Sequence, residues 1–196
     1  MEQAKQTLYL IEKSLDNIKF PPTDNVKTSA IFYSISMEHY RSILSLIELN
    51  LLSSASALMR PLFESYVKGL WFYYCATDND IRKLHKDQFN RKFHVLVSDL
   101  EKIKPLGLSN AKQNLWPTLN SFTHSGAAQT SRRVSGNQIM SSFSNDFIRD
   151  AIAFASNYGL LAACELALIS NDKKLQSTVL SIYKNSVIGK VSEAHE

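Results

Sequence analysis

The stretch from residue 55 to residue 77 most constrains the fold, because it is apolar on nearly every side of a helix. Its large side chains leave almost no polar face: Leu58, Leu62, Phe63, Tyr66, Val67, Leu70, Trp71, Phe72, Tyr73 and Tyr74. A helix that is hydrophobic on most sides lies at the centre of a protein, surrounded by other helices. Pro61 falls inside this stretch, so we expect a helix start or a kink there.

The rest of the chain supplies helices that can surround this segment. Apolar residues recur at three- and four-residue steps in six further segments: 2–19, 24–52, 78–104, 116–124, 146–170 and 173–188. Only 6 glycines and 5 prolines occur in 196 residues, which favours long helices over many short strands. The sequence therefore predicts an all-α fold, a single-domain helical bundle of six to seven helices over residues 1–196. Its N-terminal helix is predicted at 1–19 and a frayed tail at 190–196.

Several features favour a soluble protein of the cytoplasm. The N-terminal residues are polar and lack the apolar region of a signal peptide. The longest apolar stretch, from Leu160 to Ile169, is interrupted by Glu165 and is too short to span a bilayer. We therefore expect cytoplasmic localisation and no membrane partner.

The net charge is +4, and it is unevenly distributed. Residues 82–104 hold seven lysines and arginines against three acidic residues. This excess is compatible with RNA as a partner, but it is far from the dense basic surface of a dedicated nucleic-acid-binding protein.

Sequence motifs of the common enzyme classes are missing from the chain. Glycine-rich phosphate loops, the Gly-x-Ser-x-Gly elbow, His-Glu-x-x-His and Cys-x-x-Cys do not occur. The five histidines are too scattered to predict a zinc site by spacing. The Arg-x(4–6)-His signature of ribonuclease-type HEPN domains is also missing. We therefore expect no metal and no cofactor, and the sequence favours a protein that is not an enzyme.

A polar row interrupts the apolar central segment. Arg60, Glu64 and Lys68 follow one another at four-residue steps, and Ser53 and Ser56 extend the row backward. Residues four apart lie on one face of a helix. The row is either a narrow solvent-facing edge or a partly buried Arg–Glu pair that lines a cavity, and the pattern leaves both interpretations open.

The stretch NSFTHSGAAQTSRR, residues 120–133, is the other candidate for a site. We expect His124 in the last turn of a helix, with Gly126 as the left-handed residue beyond it. The helix dipole there favours imidazolium, so His124 is either a proton donor or anion contact, or a capping residue that bonds free carbonyls. Arg132 and Arg133 are adjacent and point in different directions, so one of them could reach an anion while the other stays solvated.

Two stretches, SASALMRPLFESYVKGLWFY and LNSFTHSGAAQTSRR, resemble an uncharacterised family of bacterial all-helical proteins. That family pairs an Arg-Pro-x-x-Glu helix with a Thr-His-(Gly/Ser)-Gly…Arg-Arg segment. The match runs from about residue 38 to 170 and includes Arg60, Glu64, Thr123, His124, Gly126, Gln129, Arg132 and Arg133. Ser125 stands where a second glycine is commoner. The family is loosely similar to HEPN-like domains of mobile elements and phage defence, and the resemblance implies that Arg60, Glu64 and His124 lie close together.

The first functional hypothesis is a binding or regulatory protein without enzymatic activity. A polar pocket would hold a small anionic ligand or an acidic group of a partner. Its binding residues would come from both candidate stretches: Arg60, Glu64, His124, Arg132 and Arg133. Two cationic side chains and a histidine without a recognisable nucleophile or metal set motivate this hypothesis.

Two alternatives come from other classes of protein. The second hypothesis is a metal-independent, HEPN-like RNase or phage-defence effector, with His124 as general acid or base and Arg60 or Arg132 stabilising the developing charge. The third is purely structural: the Arg–Glu pair and His124 tie helices together, and the protein forms a homodimer.

Overall fold

The computed structural model describes the backbone of residues 1–192 and the side chains of residues 1–186. Within this part of the chain there are nine α-helices, one 3₁₀ turn at Ser131–Arg133 and one small hairpin. The helices are α1 (Glu2–Leu15), α2 (Asp24–Glu48), α3 (Leu52–Tyr74), α4 (Asp78–His85), α5 (Phe93–Ile103), α6 (Leu108–Thr123), α7 (Ala127–Thr130), α8 (Asn145–Ile169) and α9 (Lys173–Ser192). The hairpin pairs β1 (Val134–Ser135) with β2 (Gln138–Ile139) in antiparallel register. The all-α prediction is therefore confirmed.

Helix α3 lies at the centre of the bundle, as its all-round apolar surface predicts. It contacts α2, α5, α6 and α8. Its large side chains Leu62, Phe63, Leu70, Trp71 and Phe72 are almost completely buried. Burial of a large apolar side chain contributes about 1.5–3 kcal/mol, so these residues are a major source of the stability of the fold.

Two glycines allow α2 to lie very close to its neighbours. A side chain at Gly69 of α3 would overlap the ring of Tyr33, and one at Gly159 of α8 would overlap the ring of Tyr40. Both tyrosines are fully buried. The two rings are thereby fixed between helices, and α2 packs directly on α3 and on α8.

The predicted helix over 78–104 is two helices in the structure, α4 and α5. Asp87 adopts a left-handed conformation with φ 55° and ends the first of them. The irregular segment that follows places the ring of Phe89 on two buried rings, 5.3 Å from Trp71 and 5.0 Å from Phe72 between centroids. Packing of this aromatic residue in the core therefore prevails over the continuous helical pattern.

Helix α6 begins at Leu108 and not at Trp116 as predicted. Glu101 of α5 caps its first turn, because its Oε1 accepts the backbone N–H groups of Leu108 at 2.6 Å and Ser109 at 3.2 Å. Pro117 thus lies inside the helix. The divided helix over 78–104 and the short α7 explain why the described chain has nine helices and not six or seven.

Helix α8 combines length with an apolar composition. An 18-residue window of it has a mean hydropathy of 1.6, and 56% of that window is buried inside the protein. The core helix of a bundle has these same properties, so the structure is consistent with a soluble protein. The predicted tail over 190–196 overlaps the end of α9, which extends to Ser192, and residues 193–196 lie outside the described residues.

Candidate functional site

Two rows of side chains face each other across the contact between α3 and α6. On α3, Arg60 and Glu64 occupy successive turns of the helix. On α6, Trp116, Asn120 and His124 do the same, since they also follow at four-residue steps. We call these five residues the polar cluster. The convergence that the family resemblance implies for Arg60, Glu64 and His124 is present in the structure.

Arg60 makes contact with every other member of the polar cluster. Its Nε and Nη2 donate to Glu64 Oε1 at 3.0 and 2.8 Å. Its Nη1 donates to Asn120 Oδ1 at 2.6 Å and lies 2.7 Å from His124 Nε2. The guanidinium carbon stands 4.7 Å from the centre of the Trp116 ring, within range of a cation–π interaction. The orientation of the guanidinium is therefore fixed on several sides.

The polar cluster is partly buried at one end and open at the other. The side chains of Arg60 and Glu64 are 20% and 25% exposed. Asn120 and His124 are exposed to solvent. The polar row on α3 is thus a partly buried ion pair covered by side chains of α6, and not a solvent-facing edge.

His124 occupies the end of α6, as predicted. It is the residue after the last helical one, and its backbone N–H donates to Asn120 O at 3.1 Å. An arginine N–H group can only donate, so Nε2 of His124 has to accept from Arg60. Nε2 of His124 therefore carries no proton in this arrangement and accepts a hydrogen bond from the guanidinium.

The turn after His124 differs from the prediction at Gly126. Ser125 is the left-handed residue, with φ 54°, while Gly126 has φ −76°. Glycine is required at 126 for space, because a Cβ there would lie 2.6 Å from Ser121 Oγ. That same hydroxyl accepts the N–H of Ala128 at 2.9 Å, and Ser121 O accepts the N–H of Gly126 at 2.7 Å. The chain is thereby held close against α6.

Pro61 also differs from the expectation, since α3 runs through it and begins at Leu52. Proline lacks an N–H group, so the carbonyl one turn earlier, at Ala57, loses its helical partner. Thr123 of α6 replaces that partner: its Oγ1 lies 3.2 Å from Ala57 O and 3.0 Å from Leu119 O. The Arg-Pro and Thr-His pairs of the two stretches are therefore connected twice, once by side chains and once through a backbone carbonyl.

Gln129 makes a third connection between the two stretches. Its Nε2 donates to Ser53 O at 2.8 Å, and its Oε1 lies 3.0 Å from Ser56 Oγ. Ser53 and Ser56 are in the first turns of α3, so this amide fixes α7 to the start of the central helix.

Arg132 and Arg133 do not join the contacts of the polar cluster. Arg132 donates to Ala128 O at 2.7 Å, and its guanidinium carbon stacks on three rings: Phe147 at 5.2 Å, Phe122 at 5.4 Å and Phe143 at 6.0 Å. Arg133 is exposed. The two side chains point in different directions, as predicted for adjacent residues. Arg132 packs on aromatic rings, and neither arginine contacts the polar cluster.

Sequence patterns did not single out Trp116 and Asn120. Their signal is the four-residue spacing that they share with His124, which matches the spacing of Arg60 and Glu64 on α3. The predicted helix over 116–124 already contains all three residues, but the sequence alone does not show that this row faces Arg60 and Glu64.

Comparisons with known proteins give one match. Residues 33–187 match a family of unknown function (DUF6988), a range that includes both stretches of the site. No curated protein matches the chain, and no solved structure matches it.

Proposed function

The chain belongs to the DUF6988 family of unknown function, and we propose that it is a non-enzymatic binding protein whose polar cluster holds an anionic group. That group belongs to a small ligand or to an acidic side chain of a partner. The observation that carries the proposal is the contact of 2.7 Å between Arg60 Nη1 and His124 Nε2 at the open end of the cluster.

The first support is the fixed orientation of Arg60. Glu64 engages its Nε and Nη2, and Trp116 lies against the plane of the guanidinium. The Nη1 edge is directed toward the exposed residues Asn120 and His124. A guanidinium that is already held in place loses little conformational freedom when an anion binds, which favours affinity.

The second support is the position of His124 beside that edge. An anion that replaces His124 on Nη1 would turn the imidazole from acceptor to donor, which requires a proton on Nε2. The neutral ring provides this donor when its proton moves from Nδ1 to Nε2. The anion would then accept one hydrogen bond from Arg60 and one from His124.

Glu64 limits the affinity and shapes the specificity. Its carboxylate neutralises Arg60 in the free protein, so the site attracts anions less strongly than an unpaired arginine would. The group that binds has to approach from the side of Asn120 and His124. A compact oxyanion, a phosphate or a carboxylate, matches two donors that lie this close together.

Thermal melting with added inorganic phosphate and with succinate tests the proposal. A ligand that binds only the folded state raises the melting temperature as its concentration increases. We expect this rise for the wild type, and not for Arg60→Lys or His124→Gln. His85→Gln, an exposed histidine on α4, is the matched control and should behave as the wild type.

The structural hypothesis makes a different forecast for the same experiment. If the polar cluster only connects α3 to α6, Arg60→Lys and His124→Gln lower the melting temperature while neither anion shifts it in any variant. That outcome would refute the proposed binding function and leave a structural role, for which the homodimer of the third hypothesis is tested by light scattering during size-exclusion chromatography.

A second candidate is the metal-independent RNase. Its support is that Arg60, Asn120 and His124 converge although α3 and α6 are far apart in sequence. It is weaker, because Nε2 of His124 is engaged by Arg60 and would have to be released before it could transfer a proton. Cleavage of a single-stranded RNA by the wild type and not by His124→Gln would favour this candidate; intact RNA in both samples would eliminate it.

A further inference from the structure

A second region of interest is a cavity between helices that do not carry the polar cluster. It has a volume of about 360 Å³ and lies between α1, α2, α8 and α9. None of the five polar-cluster residues lines it. Its size falls within the range of small-molecule sites, about 300–1,000 Å³.

The wall of the cavity is more apolar than polar. Its apolar surface comes from Ala4, Tyr40, Ile152, Leu160 and Tyr183. Neutral polar side chains complete the wall: the hydroxyls of Thr7, Ser156 and Ser186 and the amides of Gln3 and Asn157. Sites for small organic molecules have this composition, with a few polar groups that fix the orientation of an apolar ligand.

Ser156 is the feature that points to a ligand. The residue is 5% exposed, and within the described part of the chain its Oγ has no hydrogen-bond partner. A serine in a helix usually satisfies its hydroxyl on the carbonyl one turn earlier, which does not happen here. A buried hydroxyl without a partner costs about 1–3 kcal/mol, so a ligand that bonds to it recovers stability.

Tyr40 keeps the cavity open next to this hydroxyl. Its ring is held against Gly159, where no side chain would fit, and its OH donates to Ala4 O at 3.1 Å. Burial raises the pKa of Tyr40, and the nearby Ser156 hydroxyl opposes that rise. The Tyr40 OH donates to Ala4 O, and within the described residues Ser156 Oγ has no hydrogen-bond partner. A fixed tyrosine cannot rotate to fill the space that a ligand would occupy.

The charges around the cavity indicate a neutral ligand. Arg149 and Asp150 both contribute to its lining, and both are exposed, so their charges are solvated. Arg149 also pairs with the exposed Asp146 one turn away on α8. Among the described residues, the lining holds no other charged side chain.

We propose that this cavity binds a neutral, mainly apolar small molecule with one hydroxyl or similar hydrogen-bonding group that pairs with Ser156. Aromatic or alicyclic alcohols have this chemistry. The apolar body of such a molecule packs between Leu160, Ile152 and Tyr183, and its polar group reaches the unpaired Oγ. The site is independent of the anion site that the polar cluster provides.

Titration with 2-naphthol, followed by backbone amide shifts in NMR spectra, tests this inference. We expect saturable binding with shifts centred on α8 around Ser156 and on α1. Ser156→Ala should weaken the binding of 2-naphthol about fivefold, which is the equivalent of one hydrogen bond of about 1 kcal/mol. The same variant should bind naphthalene, which lacks the hydroxyl, as tightly as the wild type does.

A cavity-filling variant completes the test. Ala153 lines the cavity and is exposed, so Ala153→Phe blocks the space without overpacking the core. It should reduce 2-naphthol binding at least tenfold, while Leu168→Phe, an exposed position of α8 outside the cavity, and Arg60→Lys should leave it unchanged. Absence of saturable binding to the wild type, or equal binding by Ala153→Phe, overturns the inference. If Ser156→Ala loses affinity for 2-naphthol and for naphthalene to the same extent, the assigned role of the hydroxyl is overturned.

Discussion

Replacement of Arg60 by alanine removes the one side chain that contacts all other members of the polar cluster. It eliminates two hydrogen bonds to Glu64 at 3.0 and 2.8 Å and one to Asn120 at 2.6 Å. It also eliminates the contact with His124 at 2.7 Å and the stacking on Trp116. Glu64 is then left partly buried without a cationic partner.

The expected cost follows from how far the pair is buried. Breaking a fully buried ion pair costs about 3–5 kcal/mol, and a solvent-exposed pair contributes about 0–1 kcal/mol. Arg60 and Glu64 lie between these limits, at 20% and 25% exposure, so we expect about 2 kcal/mol from the ion pair. The cation–π contact adds about 0.5–1 kcal/mol. The total of about 2.5–3 kcal/mol corresponds to a melting temperature lowered by about 5–12 °C in a protein of this size.

Urea unfolding of Arg60→Ala, His124→Ala and the double variant measures both the cost and its origin. Residues in one network are coupled, so the double variant should lose about 0.5–1.5 kcal/mol less than the sum of the single variants. Arg82→Ala, an exposed arginine on α4, is the control and should stay within about 0.5 kcal/mol of the wild type. Additive single and double variants, or an Arg60→Ala as stable as the control, would refute the reasoning.

Four further substitutions test individual residues. Ser125→Gly relieves a left-handed backbone and should stabilise the protein by about 0.5–1 kcal/mol, whereas Gly126→Ala, which has no room for its Cβ, should cost about 1–3 kcal/mol in urea unfolding. Thr123→Val should cost about 1 kcal/mol, and less in a Pro61→Ala background, where a restored N–H satisfies the carbonyl that Pro61 leaves free. Burial raises the pKa of Glu165, so the native state loses stability as the pH rises from the unfolded toward the folded pKa. Glu165→Gln cannot ionise, so its gain in melting temperature over the wild type should be larger at about pH 8 than at about pH 4.

The central architecture can be predicted from the sequence because it depends on periodicity. An α3 that is apolar on most sides has to be surrounded, and its four-residue row of Arg60 and Glu64 is visible without any structure. The position of His124 at a helix end is predictable in the same way, from the small and polar residues that follow it.

Features that depend on contacts between distant segments could not be predicted. The start of α6 is fixed by the carboxylate of Glu101 on a different helix, and local sequence favours the later start at Trp116. Gly126 was expected to provide a left-handed conformation, but its role is to leave room for Ser121. Arg132 packs on three phenylalanine rings that come from α6 and from residues near the start of α8.

The most direct test of the polar cluster as an anion site is calorimetric titration with inorganic phosphate. In the free protein, Nη1 of Arg60 lies 2.7 Å from Nε2 of His124, and a bound phosphate would accept hydrogen bonds from both residues. We predict saturable binding by the wild type and by the control His85→Gln, and none by Arg60→Lys or His124→Gln. Absence of saturable binding to the wild type, or equal binding by all four proteins, would contradict the account.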